Sequence, residues 1–304
     1  MLRAAEKPVS VETELLRRLN RGVRRPNAKL AFEGELPFGP ALRLQQYRLG
    51  NGLELLLLVD PSAPVVSYHT WYRVGSRDEE PGKTGLAHML EHLMFGATRR
   101  HPHGEFDQLC ESAGAEANAA TWTDWTYYYE NLPKDALGLA VELEADRMTG
   151  LTLRAREFES EREVVENERR YRVDDDVEGS ANEALYGLAY KAHPYRWPTI
   201  GFLEDIRGYE LKDAQRFYER WYAPNNATIV IAGDFDIEEA LGTVRERYAS
   251  IAPSSLPRRN VTTEPSQRRE RRQSLKKPSS TEKIQVGYRA PAFGTADYTA
   301  LTVL

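Results

Sequence analysis

GLAHMLEHLMF, residues 85 to 95, holds the most informative pattern in the chain. Within it, His88, Glu91 and His92 occupy positions i, i+3 and i+4, so an α-helix would project all three side chains from one face. The apolar residues of the segment repeat with a helical period and predict a buried stripe: Leu86, Met89, Leu90 and Leu93. The pattern therefore predicts an amphipathic helix that carries two imidazoles and a carboxylate together.

This arrangement of side chains is typical of zinc hydrolases. Two imidazoles one helical turn apart can bind one Zn²⁺ at about 2.0–2.1 Å, and a nearby carboxylate can take a proton from a water on the metal. The order His-x-x-Glu-His is the inverted form of the zinc-protease helix motif. The alternative, a helix with two surface histidines, is disfavoured by the apolar stripe beside them. We therefore expect His88 and His92 to bind zinc.

Composition excludes several other classes of protein. With 304 residues, 41% of them apolar and 10% aromatic, the chain can build one large or two ordinary domains. A net charge of −5 gives no general attraction for nucleic acid or anionic lipid. A single cysteine, Cys110, excludes a disulfide within the chain and a cysteine-based metal site. We expect neither nucleic acid nor a membrane as a partner.

The first 41 residues resemble neither a signal peptide nor a membrane anchor. They contain no long apolar run, and their arginines are interrupted by glutamates, so a solvated N-terminal arm over residues 1–41 is expected. The longest apolar run, Leu55 to Val59, is far too short to span a bilayer. The expected compartment is the cytoplasm, with the periplasm and organelles left open.

The remaining sequence predicts an α+β fold over residues 42–250, in which a mixed, largely antiparallel sheet is covered by helices. The predicted strands alternate or are rich in β-branched residues: 42–49, 53–59, 65–74, 114–121, 126–132 and 227–232. The predicted helices show helical periodicity: one opening at Thr84 or Gly85, then 104–113, 134–148, 154–171, 179–190, 212–221 and 237–248.

Beyond residue 250 the composition changes. Residues 251–282 are rich in Pro, Ser, Thr and basic residues and predict a linker; a nucleic-acid patch is less favoured because no aromatic residues interleave the basic ones. Ile284 to Tyr288 predicts a strand and Ala296 to Leu304 a helix. A domain does not normally stop within its first strand and helix, so we expect residues 283–304 to be the truncated start of a second domain.

A catalytic zinc site needs a third protein ligand. The charged helix 154–171 offers several glutamates, and Glu161 and Glu168 lie seven residues apart on one face. If Val164 and Val165 were buried, both carboxylates would point toward the interior. Periodicity does not choose between the two, and a solvated glutamate-rich face is the competing interpretation.

Several motifs, in the same order along the chain, resemble the M16 metallopeptidases, the family of pitrilysin, insulin-degrading enzyme and mitochondrial processing peptidase. They run from residue 42 to 304: HMLEH at 88–92, GSRDE at 75–79, NAATWTD at 118–124, Glu168 at the end of EREVVENE, HPY at 193–195, and PNN leading into GDF at 233–235. The resemblance implies that His88, His92 and Glu168 bind zinc and that Glu91 is the general base. It also implies that Glu161 supports the site by orienting a ligand histidine, and that Asn118, with Ala119 beside it, lies on an edge strand that pairs with extended substrate.

The resemblance implies a zinc-dependent endopeptidase that cleaves peptides or unfolded polypeptide segments by Glu-assisted attack of zinc-bound water. It also implies a second homologous domain or subunit, which in this family usually contributes an arginine and a tyrosine for the transition state. We expect the 304-residue chain to bind zinc but to be weakly active alone. Two alternatives remain: a non-catalytic assembly subunit, and a zinc hydrolase with a non-peptide substrate, which the strand around Asn118 disfavours.

Overall fold

The computed structural model describes residues 10–259 and 262–303, with side chains described from residue 14 onward. In those parts of the chain the strands are β1 Leu30–Phe38, β2 Leu42–Leu49, β3 Glu54–Val59, β4 Val65–Tyr72, β5 Glu116–Thr121, β6 Thr126–Pro133 and β7 Ala227–Gly233. The α-helices are α1 Ser10–Asn20, α2 Leu86–Leu93, α3 Glu105–Ser112, α4 Leu137–Gly150, α5 Ala155–Arg169, α6 Val177–Ala189, α7 Leu203–Arg207, α8 Leu211–Trp221, α9 Ile237–Tyr248 and α10 Ala296–Val303.

The described strands form one sheet in the order β1-β2-β3-β7-β4-β6-β5. Only the β3–β7 pair among them is parallel, and the other neighbours are antiparallel. The prediction of a mixed, largely antiparallel sheet with helices is confirmed. The strand β7 is the last of the described strands in the chain but lies in the middle of the sheet, between β3 and β4. Its apolar sequence ATIVIAG can be covered there on both faces of the sheet.

The main core lies between one face of the sheet and the helices. Alternate residues of the central strands point into it, among them Tyr68 and Tyr72 of β4 and Ile229 and Ile231 of β7. The helices contribute, among others, Met89, Leu90, Val141, Leu241 and Val244. Two hydrogen bonds satisfy buried phenols, Tyr68 to Tyr248 at 3.0 Å and Tyr128 to Tyr222 at 2.9 Å. The helix α2 is therefore held against the sheet by a continuous apolar layer.

The expectation of a solvated N-terminal arm is wrong for residues 30–38, which form the edge strand β1 paired with β2. The register shifts between Phe32 and Gly34, and Pro37 lies on this outermost strand. An edge strand tolerates both features because one of its sides makes no ladder hydrogen bonds. The segment LAFEGELPF does place apolar residues at alternate positions, Leu30, Phe32, Leu36 and Phe38, which is the pattern of a strand with one covered face.

The segment after residue 261 is extended and lies along α6. Glu264 accepts hydrogen bonds from the backbone N–H groups of Lys191, Ala192 and His193 at 2.7–2.9 Å. The predicted strand Ile284 to Tyr288 does not form, and its apolar side chains are exposed. A strand needs a partner to satisfy its backbone groups, and no described strand pairs with this segment. The predicted helix is present at Ala296–Val303.

Among the described residues, no helix has both the length and the apolar character that crossing a bilayer requires.

Candidate metal centre

The helix α2 begins where Gly85 adopts a left-handed conformation, at φ +89°. Its apolar residues are buried in the main core, which fixes the rotation of the helix. His88, Glu91 and His92 consequently face away from the sheet core, toward α5. His88 is 9% exposed, whereas Glu91 and His92 are half-buried.

The helix α5 packs against α2 and brings Glu168 to the two histidines. Phe158 and Val165 are its buried apolar anchors, whereas Val164, expected to be buried, is 47% exposed. Val165 lies between Glu161 and Glu168 on one face of the helix, so burial of Val165 turns both carboxylates inward. The competing interpretation, in which the whole glutamate-rich face of α5 is solvated, is therefore wrong for Glu161 and Glu168.

The nitrogen and oxygen atoms of His88, His92 and Glu168 are spaced as metal ligands are. Each offers one atom within 4.8 Å of the others. Glu168 Oε2 lies 3.6 Å from His88 Nε2 and 3.2 Å from His92 Nε2. Ligands bound tetrahedrally to zinc at about 2.0–2.1 Å are about 3.3 Å apart, so the three residues fit a zinc ion.

The histidines differ in their electrostatic surroundings. Burial, and then the neighbouring His92, lower the pKa of His88 to about 4, which keeps its imidazole neutral and able to coordinate. For His92 burial acts in the same direction, but the carboxylates of Glu161 and Glu168 outweigh it and raise the pKa to about 9. Burial also opposes ionisation of Glu168, but His92, His88 and Arg172 outweigh it and lower the pKa of this carboxyl. A cation at this position would replace the proton on His92.

Glu91 lies at the wall of a cavity of about 340 Å³ beside the histidines. Burial raises the pKa of its carboxyl above the ordinary value, and its Oε2 has no hydrogen-bond partner among the described residues. The apolar lining includes Leu93, Phe95 and Leu153, and the polar lining includes His103, Asp107, Arg154 and Glu157. A buried carboxylate with a raised pKa and a free oxygen is suited to accept a proton.

Glu161 lies on the other side of His92. Its Oε2 is 3.5 Å from His92 Nδ1, longer than an ordinary hydrogen bond, and its side chain is 30% exposed. The two nitrogens of His92 thus face two different carboxylates. Glu161 is therefore a neighbour of His92, and Glu168 is the member of the three-residue cluster.

Asn118 and Ala119 lie on β5, the last strand of the described sheet on this side. Asn118 is exposed and opposite Tyr129 of β6, and its Oδ1 accepts a hydrogen bond from the Ala119 N–H at 2.8 Å. Asn118 also lines the cavity that Glu91 borders. β5 therefore runs beside the cavity that Glu91 and His92 line.

Sequence reasoning missed several residues near the cluster. Arg172, in the π-helical turn after α5, binds the second oxygen of Glu168 through Nη1 at 3.0 Å, and the i, i+4 spacing of the pair is a signal for it. Asp107 of α3 and His103 in the turn before it line the cavity. No sequence spacing connects these residues to the histidines, because only packing of α3 brings them there.

Known proteins share this fold and sequence pattern. A family model described as insulinase (peptidase family M16) matches residues 55–201, and one described as peptidase M16 inactive domain matches residues 209–304. The zinc protease PqqE of Helicobacter pylori is 35% identical over 262 residues, covering 84% of this chain and 59% of that protein.

Solved structures agree with these matches. A protease from Helicobacter pylori has a TM-score of 0.71 at 35% identity, covering 73% of this chain and 54% of that chain. The periplasmic protease PqqL from Escherichia coli has a TM-score of 0.66 at 26% identity, covering 76% of this chain and 26% of that chain. The present chain thus spans only part of the length of each relative, 59% of PqqE and less of the solved chains.

Proposed function

Since the chain belongs to the M16 family of peptidases, we propose that it carries the zinc-binding half of a metalloendopeptidase of the inverted-zincin type. One observation carries the proposal: His88 and His92 from α2 and Glu168 from α5 meet at the spacing of zinc ligands. Relatives named zinc proteases support the choice of metal and of reaction class.

In this proposal His88, His92 and Glu168 hold the ion. Zinc bound there would supply Lewis-acid polarisation of a carbonyl and lower the pKa of a water in its open position toward about 7. His88 contributes a neutral imidazole, Glu168 a negative charge and His92 a second imidazole after losing its proton. Glu161, next to His92 Nδ1, orients that ring.

Glu91 is the proposed general base. Its carboxyl is partly desolvated and its pKa is raised, so it accepts the proton of the attacking water more readily than an exposed glutamate would. The same carboxyl then returns the proton to the nitrogen of the leaving amine. Glu91 and His92 border the same cavity, so a water or an amide bound in that cavity would lie beside the Glu91 side chain.

The proposed substrates are peptides or unfolded polypeptide segments in an extended conformation. The free edge of β5 supports this because an extended chain can add there as a further strand, next to Asn118 and Ala119. In an added strand, the backbone of the substrate would run past the cavity that Glu91 and His92 line. A folded domain does not expose such a segment.

The proposal also includes a second domain or subunit beyond the zinc-binding half. The relatives are longer than this chain, and we infer that a second M16-like domain or subunit completes the chamber around the substrate. The 304 residues alone would then bind zinc but cleave slowly, because the groups that stabilise the transition state come from that second part. The cytoplasm stays the predicted compartment. The periplasm is the alternative, and it is supported by the relative PqqL of Escherichia coli, which is described as periplasmic.

The test separates metal binding from turnover. Zinc content is measured after dialysis for the wild-type chain and for His88→Ala, Glu168→Gln and Glu91→Gln. Cleavage of a quenched fluorescent peptide is measured separately, with a chain that also contains the inferred second domain. We expect one zinc per wild-type chain, loss of zinc in the first two variants, and retained zinc without cleavage in Glu91→Gln. Retained zinc in Glu168→Gln would exclude that residue as a ligand. Bound zinc with no cleavage by the extended wild type would favour an assembly subunit.

A further inference from the structure

The two helices that form the metal cluster meet a common turn, Pro198 to Gly201. This turn is closed by a hydrogen bond from the Gly201 N–H to the Pro198 carbonyl at 2.9 Å. It follows α6 in the chain and belongs to neither α2 nor α5. It contacts the start of α2 through backbone atoms with no space for a further side chain, and its Gly201 carbonyl accepts a hydrogen bond from a side chain of α5.

On the side of α2, the turn touches Gly85, the residue at which the helix begins. A Cβ on Gly85 would lie 2.2 Å from the Ile200 carbonyl oxygen, and a Cβ on Gly201 would lie 2.1 Å from the Thr84 carbonyl oxygen. Both glycines have φ near +90°, at +89° and +88°. The two backbones are therefore in direct contact, and neither glycine can gain a side chain without moving the other segment.

Hydrogen bonds hold this contact closed. Thr84 Oγ1 donates to Asp205 Oδ2 at 2.5 Å, and the Phe202 N–H donates to Thr84 Oγ1 at 3.0 Å. The Tyr209 hydroxyl donates to the Thr84 carbonyl, and Thr84 itself is buried. The start of α2 is thus attached to the segment that follows the turn.

On the side of α5, the turn receives Arg169, the residue next to Glu168. Arg169 Nη1 donates to the Gly201 carbonyl at 2.7 Å and to Glu183 Oε2 at 2.7 Å, and Nη2 donates to Asp174 Oδ1 at 3.2 Å. Arg169 is 5% exposed. The same glycine therefore contacts the start of α2 through its Cα and the end of α5 through its carbonyl.

We propose that the Pro198–Gly201 turn is a spacer that sets the distance between α2 and α5, and that Gly201 and Arg169 are positioning residues for the zinc cluster. This inference rests on the proposed function, because it assigns these residues to the geometry of the proposed zinc site. Relieving a contact of 2.1 Å requires a displacement of about 1 Å. Metal–ligand distances tolerate only about 0.2 Å, so a shift of that size is expected to weaken zinc binding about 10- to 100-fold.

Gly201→Ala tests the spacer, and Gly82→Ala is its matched control. Gly82 has φ +86°, nearly that of Gly201, but nothing lies within 4 Å of a Cβ built on it. Both substitutions impose the same backbone strain, and only Gly201→Ala presses on α2. Zinc affinity is measured by competition with a chromophoric chelator. The absorption bands of the Co²⁺-substituted protein report ligand geometry. Urea unfolding of the metal-free chains reports stability.

We expect Gly201→Ala to bind zinc at least tenfold more weakly than Gly82→Ala and to shift the Co²⁺ bands, with Gly82→Ala within about twofold of wild type. Equal zinc affinities and unchanged Co²⁺ bands in the two variants would overturn the inference while leaving the zinc proposal intact. Absence of zinc binding by the wild-type chain would instead overturn the proposed function.

Arg169→Lys provides a second test that does not depend on Gly201→Ala folding. A lysine ammonium cannot reach the Gly201 carbonyl, Glu183 and Asp174 in the planar geometry of the guanidinium. Arg170→Lys is the control, since Arg170 is exposed and pairs with Glu166 on the same helix. We expect weaker zinc binding and altered Co²⁺ bands in Arg169→Lys only. Identical metal binding by the two lysine variants would contradict a positioning role for Arg169.

Discussion

At the scale of single residues, the start of α2 depends on a buried carboxylate. Glu79 accepts hydrogen bonds from the Gly85 N–H at 2.7 Å and from the Ala87 N–H at 2.8 Å, and it is 8% exposed. Burial raises the pKa of Glu79 well above its ordinary value, and the two N–H donors oppose that rise. Gly85 has no side chain to cap the helix, so Glu79 satisfies its first N–H groups from a distance.

Glu79→Gln should lower the free energy of unfolding by about 1–2 kcal/mol, because an amide presents its NH₂ group to one of the two N–H donors. Glu80→Gln is the control: the Glu80 side chain is 78% exposed, and its substitution should change stability by less than about 0.5 kcal/mol. Urea unfolding of the metal-free chains measures both. Equal stabilities for the two variants would show that Glu79 does not support the helix.

His92 gives the metal site a proton to release. Because the pKa of His92 is raised to about 9, the metal-free chain holds a proton on this ring at pH 7, and a cation must displace it. Zinc binding at pH 7 should release about one proton, and apparent affinity should rise about tenfold per pH unit between about pH 7 and 9. Calorimetry in buffers of different ionisation enthalpy measures the release. A binding heat that does not depend on the buffer would contradict this expectation.

At the scale of secondary-structure elements, α4 is joined to β6 by a buried ion cluster. Arg147 of α4 is 1% exposed and pairs with Glu144 on its own helix and, at 3.2 Å, with Glu130 of β6. Its guanidinium also lies over the rings of Phe106 and Tyr128, each at 4.6 Å. One cation therefore compensates two carboxylates that have no access to water. Burial and the neighbouring Glu144 raise the pKa of Glu130 well above its ordinary value, against the pull of Arg147.

Arg147→Met should cost about 3–5 kcal/mol of unfolding free energy, because it leaves buried carboxylates without a cation. The loss should be larger at pH 8 than at pH 5. The folded-state pKa of Glu130 lies above its ordinary value, so folding takes up a proton there and stability falls as pH rises. Urea unfolding at the two pH values measures this. Adding Glu130→Gln and Glu144→Gln to Arg147→Met should remove the pH dependence of the unfolding free energy. A pH dependence that persists in the triple variant would show that the ion cluster does not cause it.

At the scale of the whole molecule, the described sheet has one edge at β1 and another at β5, and β5 lies beside the cavity that Glu91 and His92 line. The segment after residue 261 lies along α6 and is attached by Glu264 to the turn at residues 191–193. Those three N–H bonds lower the pKa of Glu264 to about 2, although burial acts against them. Residues on this segment contact both ends of α6, through Lys283 and Glu178 at its start and Arg289 and Ala189 at its end.

The proposed need for a second half can be measured directly. The 304-residue chain and a version extended through the second M16-like domain should bind zinc equally, whereas the extended version should cleave a quenched peptide faster by at least about a hundredfold. The reason is that the proposed zinc ligands lie within residues 88–168, whereas the groups proposed to stabilise the transition state belong to the second part. A 304-residue chain as active as the extended one would contradict this division of roles.

The sequence by itself determined the local elements. The spacing of His88, Glu91 and His92 with their apolar stripe predicted α2. Short apolar, β-branched or aromatic segments bounded by turn residues predicted the strands β2 to β7, because these patterns depend only on local geometry. The family resemblance singled out Glu168. Periodicity alone left Glu161 and Glu168 equivalent, since both stand on one face of α5.

Only the tertiary structure decided the rest. The burial of Val165, with Val164 outside, sets the rotation of α5 that brings Glu168 to His92 Nε2. The edge strand β1 depends on pairing with β2, and the approach of Gly85 to Gly201 joins segments more than a hundred residues apart. Such contacts depend on how whole helices and strands pack together. They cannot be predicted from the spacing of residues within one element.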